Sequence, residues 1–137
     1  MIRVETRCRA RALQMLYAWE VQGTAPMHDV ATGIARLTGP EPSVFDGAEL
    51  LALAVADDVE VLDREVEEAA ENWRLERMAV VERIILRLGI HELRTGVVPP
   101  KVAIDEAVRL AHWFGGARAP AFVNGVLDRV AHTLGRL

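Results

Sequence analysis

The stretch AVVERIILRLGIHELR, residues 79–94, decides the fold class of this protein. Its apolar residues fall around most of the circumference of a helix, and they are Val80, Val81, Ile84, Ile85, Leu86, Leu88, Ile90 and Leu93. A helix that is apolar on nearly every side is typical of the buried centre of a bundle, because a surface helix shows a polar face. The next segment, TGVVPP at 95–100, ends the helix with a glycine and two prolines.

Helical periodicity continues over most of the chain, and no stretch alternates as a strand would. We predict further helices over these approximate ranges: 4–22, 27–37, 43–70 with a break near 60, 101–114, and a last helix with Pro120 in its first turn. Ser43 is predicted to cap the helix that follows a loop at 38–42, with Asp46 three residues later. Residues 72–77 are predicted to form a turn or a short helix. The pattern predicts an all-α bundle of six or seven helices.

The composition favours one globular domain. Of the 137 residues, 51% are hydrophobic and 26% are charged, which is the balance of a soluble protein. No apolar run approaches the ~20 residues that span a bilayer, and the basic start lacks the apolar core of a signal peptide. A single cysteine, Cys8, excludes an intramolecular disulfide and fits a reducing compartment. We therefore predict a single cytoplasmic domain over residues 1–137.

The charge of the chain is segregated. Residues 41–71 hold eleven acidic residues against Arg64 alone, so the remainder is net positive although the whole chain carries −4. Four arginines and one acid, Glu5, lie within the first eleven residues. Because electrostatic fields act locally, the acidic total does not exclude an anionic partner. A plain solvated helix face is the alternative.

The sequence offers little catalytic or metal-binding chemistry. Ser43, the only serine, has no histidine near it in sequence, and the four histidines lack the spacing of zinc ligands. Arginines flank Cys8 and would lower the pKa of its thiol, but Cys8 lies on the apolar side of its helix, as a structural cysteine does. There is no glycine-rich nucleotide fingerprint or P-loop lysine. We predict a protein that is no enzyme and needs no cofactor or metal.

The first helix separates basic and apolar residues. On a wheel at 100° per residue, about 80° of one side holds Arg3, Arg7, Arg11 and Gln14. Tyr17 lies at the edge of this side, and the opposite stripe is Cys8, Ala12, Met15, Leu16 and Trp19. Arg9 falls at the margin of the apolar stripe, where we expect its head to reach water. Arginine forks beside an aromatic ring favour binding of RNA phosphates and bases.

Four blocks of sequence resemble the NusB family of bacterial transcription antitermination factors. They are RARALQMLYAWE at 9–20, VERIILRLGIHEL at 81–93, KVAIDEAVRLAHWFG at 101–115 and FVNGVLDRVA at 122–131. The resemblance implies an all-helical fold of about seven helices in two subbundles, without catalytic activity. It also implies binding of the boxA element of nascent ribosomal RNA, jointly with a small-subunit ribosomal protein in the NusE role, within an RNA polymerase antitermination complex.

The resemblance also implies functional residues. The predicted RNA-binding set is Arg7, Arg9, Arg11, Gln14, Tyr17, Lys101, Arg118 and Phe122, of which Gln14 comes from the wheel alone. Many family members read acid-Ser-x-Lys before the matching phenylalanine, whereas this chain reads Arg-Ala-Pro-Ala at 118–121. Glu76 and Glu82 match acidic family positions near the basic ribosomal protein. A helical glycine costs about 1 kcal/mol relative to alanine, so Gly125 is expected to mark a close helix–helix approach.

Two rival functions remain. The same helical module begins ribosomal RNA cytosine methyltransferases, but a chain ending at Leu137 leaves no room for their cofactor-binding domain. The other rival is a protein-only helical adaptor or homodimer, in which the arginine face meets an acidic surface such as residues 41–71.

Overall fold

The computed structural model describes residues 2–23, 25–39, 41–71 and 75–137. Within these ranges the chain forms seven α-helices and no strand. The helices are α1 Val4–Val21, α2 Met27–Thr38, α3 Pro42–Asp57, α4 Val59–Ala69, α5 Val80–Thr95, α6 Pro100–Phe114 and α7 Ala119–Thr133. The all-α prediction is confirmed, and the break predicted near 60 lies at Asp58. Of the predicted turn at 72–77, Leu75–Arg77 form a 3₁₀ helix, and 72–74 lie outside the described residues.

The chain divides after Asp57 into two compact units. The first unit contains α1 to α3 and the second contains α4 to α7. Within each unit the helices pack against one another, which agrees with the two subbundles that the family resemblance implied. None of the helices in the described part of the chain is long and apolar enough to cross a membrane.

In the first unit, α1 packs against both α3 and α2. The contact with α3 is close because Gly47 has no side chain: a Cβ there would lie 3.1 Å from the Sγ atom of Cys8. Small buried residues of α3, Ala48 and Ala52, continue the same pattern along the helix. The first unit therefore holds its helices together through close backbone approach as well as through large apolar side chains.

Helix α3 begins one residue earlier than predicted. Pro42 occupies its first turn, where proline lacks only a hydrogen bond that the helix could not form anyway. The backbone N–H groups of Val44 and Phe45 donate to the carbonyl oxygen of Glu41, at 2.9 and 3.0 Å. Ser43 is thus an exposed residue within the helix, and the prediction that it caps the helix is wrong.

In the second unit, α5 is the central helix and packs against α4, α6 and α7. Seven consecutive residues, 84–90, are buried, which confirms the prediction drawn from the apolar circumference of this stretch. A Cβ on Gly89 would lie 2.6 Å from Cδ1 of Leu127 on α7. The close helix–helix approach therefore occurs at Gly89. The same expectation for Gly125 is wrong, since a Cβ there meets nothing within 4 Å.

A buried ion pair joins α4 to α5. Arg87 is only 5% exposed although it lies in the middle of the apolar helix α5. Its Nε and Nη2 groups donate to the two carboxylate oxygens of Asp63, at 2.6 and 3.0 Å. This bidentate geometry fixes the orientation of both side chains. The ion pair therefore accounts for the one charged residue within the buried run of α5.

Candidate nucleic-acid interface

The basic side of α1 is accessible in the first unit. Arg3 and Tyr17 are exposed, with 43% of Tyr17 accessible, and Arg7, Arg11 and Gln14 are partly exposed. The apolar stripe on the other side is buried at Ala12, Met15 and Leu16. Burial of this stripe fixes the rotation of the helix, and the basic residues consequently point away from the core. The structure thus places four of the predicted RNA-binding residues on the accessible side of α1, namely Arg7, Arg11, Gln14 and Tyr17.

Arg7 is held by an acidic residue that sequence analysis did not select. Its guanidinium forms an ion pair with Glu41, which directly precedes α3. Both side chains remain more than one-third exposed, at 38% and 43%, so solvent screens the pair. The backbone of Glu41 is fixed by the hydrogen bonds that start α3. A ligand phosphate that binds Arg7 therefore competes with a positioned carboxylate.

Arg11 is oriented by its own helix. Its Nη1 group donates to Oε1 of Gln14 at 3.0 Å, one turn further along α1. This hydrogen bond restrains a long side chain, so less rotamer entropy is lost when the remaining N–H groups bind a ligand. Gln14 thus positions the arginine and keeps its own amide N–H groups for other partners.

Arg9 does not lie where the wheel placed it. The residue is only 8% exposed, so the expectation that its head reaches water is wrong. The reason is that the buried side of α1 is wider than its apolar stripe: Thr6 and Leu13 are buried as well. At 100° per residue the buried residues span about 220°, and Arg9 falls near the middle of that arc. Arg9 is therefore placed to support the helix from inside.

Cys8 has the properties of a structural cysteine. Its thiol donates to the carbonyl oxygen of Val44 at 3.4 Å. Burial raises the pKa of the Cys8 thiol, the carboxylate of Glu5 adds to the rise, and Arg9 and Arg7 oppose it more weakly. The suggestion that neighbouring arginines would activate the thiol by lowering its pKa is therefore wrong. A thiol with a raised pKa is a poor nucleophile at neutral pH.

The second unit carries the other predicted contacts on α6 and α7. Lys101 is exposed in the first turn of α6, and Arg118 is exposed at the residue that precedes α7. Phe122 is half-buried in the first turn of α7 and borders a cavity of about 200 Å³. Gly125 and Arg129 line the same cavity. Phe122 therefore keeps part of its ring accessible, as a stacking residue must.

The two predicted partner-binding acids occupy consecutive elements of the second unit. Glu76 is exposed in the 3₁₀ helix, and Glu82 is half-buried in the first turn of α5. Elsewhere in this unit, burial lowers the pKa of His91, against the opposite effect of Glu92 and Asp58. In the described ranges no three histidine, cysteine or acidic side chains are grouped as metal ligands.

These features define a small all-helical protein of two units, whose first helix presents arginines and a tyrosine to solvent. A family model, the NusB family, matches residues 6–132. The chain belongs to the NusB family.

Individual relatives agree with this assignment. The chain is 46% identical over 130 residues to the transcription antitermination protein NusB of Sorangium cellulosum, covering 94% of this chain and 92% of the relative. The solved structure of T. maritima NusB is 28% identical, with a TM-score of 0.82 over 96% of this chain and 93% of that one. A chain in a crystal structure of the antitermination factors NusB and NusE in complex with dsRNA is 24% identical. Its TM-score is 0.84 over 97% of this chain and 99% of that chain, a likeness of fold.

Proposed function

We propose that this protein is a transcription antitermination factor that binds the boxA element of nascent ribosomal RNA. The observation that carries the proposal is the exposed side of α1 with Arg7, Arg11 and Tyr17. Family membership supports it, because a relative 46% identical is a transcription antitermination protein. RNA of specific sequence is usually recognised in single strands, whose bases stack on aromatic rings and whose phosphates accept bonds from arginine. The α1 side offers both kinds of group.

The second unit contributes its own contacts in this proposal. Lys101 and Arg118 supply exposed positive charge, and Phe122 offers a partly accessible ring. The lysine that many family members have three residues after the acid is lost in this chain, and Arg118, in the place of the acid, keeps the segment basic. We propose that residues 1–137 act as one RNA-binding domain to which each unit adds a set of contacts.

The proposed protein partner is a small-subunit ribosomal protein in the NusE role. Support comes from a protein of the same fold that was crystallised with NusE and dsRNA. Glu76 and Glu82 are the proposed contacts, because acidic side chains suit a basic partner. We infer that the complex acts with RNA polymerase in the cytoplasm, and that it needs no catalysis, metal or cofactor.

One observation favours a second candidate function, a protein adaptor or homodimer. The ion pair of Arg7 with Glu41 shows that the basic side of α1 accepts a carboxylate. An acidic surface of another protein could replace Glu41 in the same way. Sedimentation of the free protein across a concentration series tests for the homodimer, since self-association through this side must block RNA.

The proposal is tested by titrating a boxA-type RNA at several salt concentrations, with and without the ribosomal protein. Arg7→Ala and Arg11→Ala should each weaken binding and reduce the log–log salt slope by roughly 0.7, the value for one phosphate contact to a single strand. Arg36→Ala is the matched control, because it removes an exposed arginine from α2 in the same unit. If both α1 variants bind as the parent does at every salt concentration, the α1 side is not the RNA-binding surface.

A further inference from the structure

Two adjacent aromatic residues are exposed at the end of α6. Trp113 is 44% accessible and Phe114 is 36% accessible, and their rings meet edge to face with centroids 6.5 Å apart. Large aromatic side chains gain free energy by burial, so an exposed indole at the surface of a stable helix needs a separate explanation. Neither residue belongs to the predicted RNA-binding set.

A guanidinium group accompanies the exposed indole. Arg109, one turn before Trp113 on α6, places its Cζ atom 5.9 Å from the centroid of the indole ring. The arginine side chain is 53% exposed, and its ion pair with Glu106 is long, at 3.7 Å. The Glu106 side chain is only 12% exposed, so the pair draws one side of the guanidinium toward the helix surface and leaves the other side in solvent. The solvent-facing N–H groups of Arg109 can therefore bind an anionic ligand beside the ring while the ion pair with Glu106 is kept.

The surroundings of this aromatic–guanidinium pair are rich in basic groups. At 100° per residue, an arc of about 120° on α6 holds Lys101, Asp105, Arg109, His112 and Trp113. All five are exposed. The loop that follows α6 leads directly to the exposed Arg118. Asp105 is the one acid on this arc, and Glu106, which pairs with Arg109, lies about 20° beyond it. Lys101 and Arg118 are the further cations near the indole-bearing helix.

We propose that Arg109 and Trp113 form an additional nucleotide-binding site, in which an unpaired base stacks on the indole and Arg109 binds the adjoining phosphate. The inference rests on the proposed RNA-binding function and adds a contact on α6 of the second unit. Base stacking and phosphate binding by neighbouring side chains are the two contacts that single-stranded nucleic acid offers.

The geometry fits RNA better than a protein partner. A protein interface needs a contiguous apolar centre. Here the exposed apolar surface on α6 is limited to Trp113 and Phe114, because Val102, the next exposed apolar residue on this helix, lies about 16 Å from Trp113. An exposed indole with a guanidinium beside it matches a base with its phosphate. The occupant is therefore inferred to be a single-stranded segment of the same RNA that binds α1.

The test measures boxA-type RNA binding across a salt series for Trp113→Ala, Trp113→Phe and Arg109→Ala. Trp113→Ala should weaken binding about five- to 150-fold, the range for loss of one stacked base. Because stacking releases no counterions, the salt slope of this variant should equal that of the parent. Trp113→Phe should recover most of the affinity, and Arg109→Ala should reduce the slope by roughly 0.7. Leu37→Ala, which removes an exposed apolar side chain from α2, is the control.

A fluorescence measurement gives an independent readout. A variant with Trp19→Phe and Trp73→Phe keeps Trp113 as its one tryptophan, and a stacked base should quench its emission on RNA binding. This inference alone is overturned if the parent binds RNA through α1 as proposed, Trp113→Ala binds as tightly as the parent, and the single-tryptophan variant shows no quenching. If the parent binds no RNA, both it and the proposed function fail. Loss of ribosomal-protein binding by Trp113→Ala with unchanged RNA affinity would reassign the site to a protein contact.

Discussion

Replacing Glu41 by glutamine should strengthen RNA binding. In the free protein the Arg7 guanidinium is paired with the Glu41 carboxylate, and an incoming phosphate has to replace that carboxylate. Both side chains are more than one-third exposed, so the pair is worth about 0.2–1 kcal/mol after solvent screening. Relieving this competition should tighten binding about 1.4- to fivefold. The cost in stability is of the same size, and the melting temperature should fall by no more than about 4 °C.

The assay is a fluorescence-anisotropy titration of a labelled boxA-type RNA at fixed moderate salt. Removing any acid also raises the general positive potential, so the comparison needs a control with the same change in charge. Glu49→Gln provides it, because Glu49 also lies in the first unit and pairs with His28, at 3.0 Å, rather than with an arginine. The gain for Glu41→Gln over Glu49→Gln measures the release of Arg7.

A double-mutant cycle decides whether the effect passes through Arg7. In an Arg7→Ala background, Glu41→Gln should have no more effect than Glu49→Gln, since there is no guanidinium left to release. The reasoning is refuted if Glu41→Gln binds no more tightly than the Glu49→Gln control, or if the gain persists in full without Arg7. The first result would mean that Arg7 binds RNA with Glu41 still attached, or does not contact RNA. The second would mean that Glu41 affects RNA binding independently of Arg7.

Three further predictions concern the second unit. Phe122→Ala should weaken RNA binding about five- to 150-fold in a titration, with little loss of melting temperature. If Phe122 were a core residue, the substitution would instead lower the free energy of unfolding by about 3–5 kcal/mol and leave the RNA affinity of the folded protein unchanged. Gly89→Ala should destabilise the protein by about 1–3 kcal/mol in chemical denaturation, because the new Cβ would lie 2.6 Å from Leu127, and Gly125→Ala, which meets open space, should not destabilise it. The protein should lose stability as the pH falls below about 6.5, the ordinary pKa of histidine, since burial lowers the pKa of His91 in the folded state and the unfolded chain binds the proton more readily. Thermal melts from pH 7.5 to 5.5 should show a smaller decline for His91→Gln, and an identical decline would show that His91 is not the group responsible.

The fold was accessible from sequence because its signals are local. The run at 79–94 is apolar on nearly every side, and only a central helix satisfies that pattern. Small errors occurred where two local signals compete, as at Ser43, whose capping tendency was outweighed by the preference of Pro42 for the first turn. The prediction for Gly125 was wrong because a glycine in a helix marks a close helix–helix approach only where another helix packs against that position.

The site was less accessible, because its details depend on contacts between distant parts of the chain. On the helical wheel the buried side of α1 was taken to be its apolar stripe, which put Arg9 at the margin of that stripe. The buried arc is wider than the stripe and includes the polar residues Thr6 and Arg9. The pair of Arg7 with Glu41 joins residues 34 positions apart in a sequence where eleven acids follow one another closely, and no local pattern distinguishes this acid from the rest. The pairing of Arg109 with Trp113 had a local signal, the four-residue spacing on one helix.

The ion pair of Arg87 with Asp63 constrains how this protein can evolve. Loss of one partner leaves the other charge buried and unpaired. In a fully buried pair this lowers the free energy of unfolding by about 3–5 kcal/mol, and somewhat less is expected here because Asp63 is one-fifth exposed. Exchanging both residues for apolar ones of similar volume is often neutral. Each single step between these two states therefore passes through a variant that folds poorly. Lineages should keep both residues or lose both, and a homologue with an apolar residue at one position should carry an uncharged residue at the other.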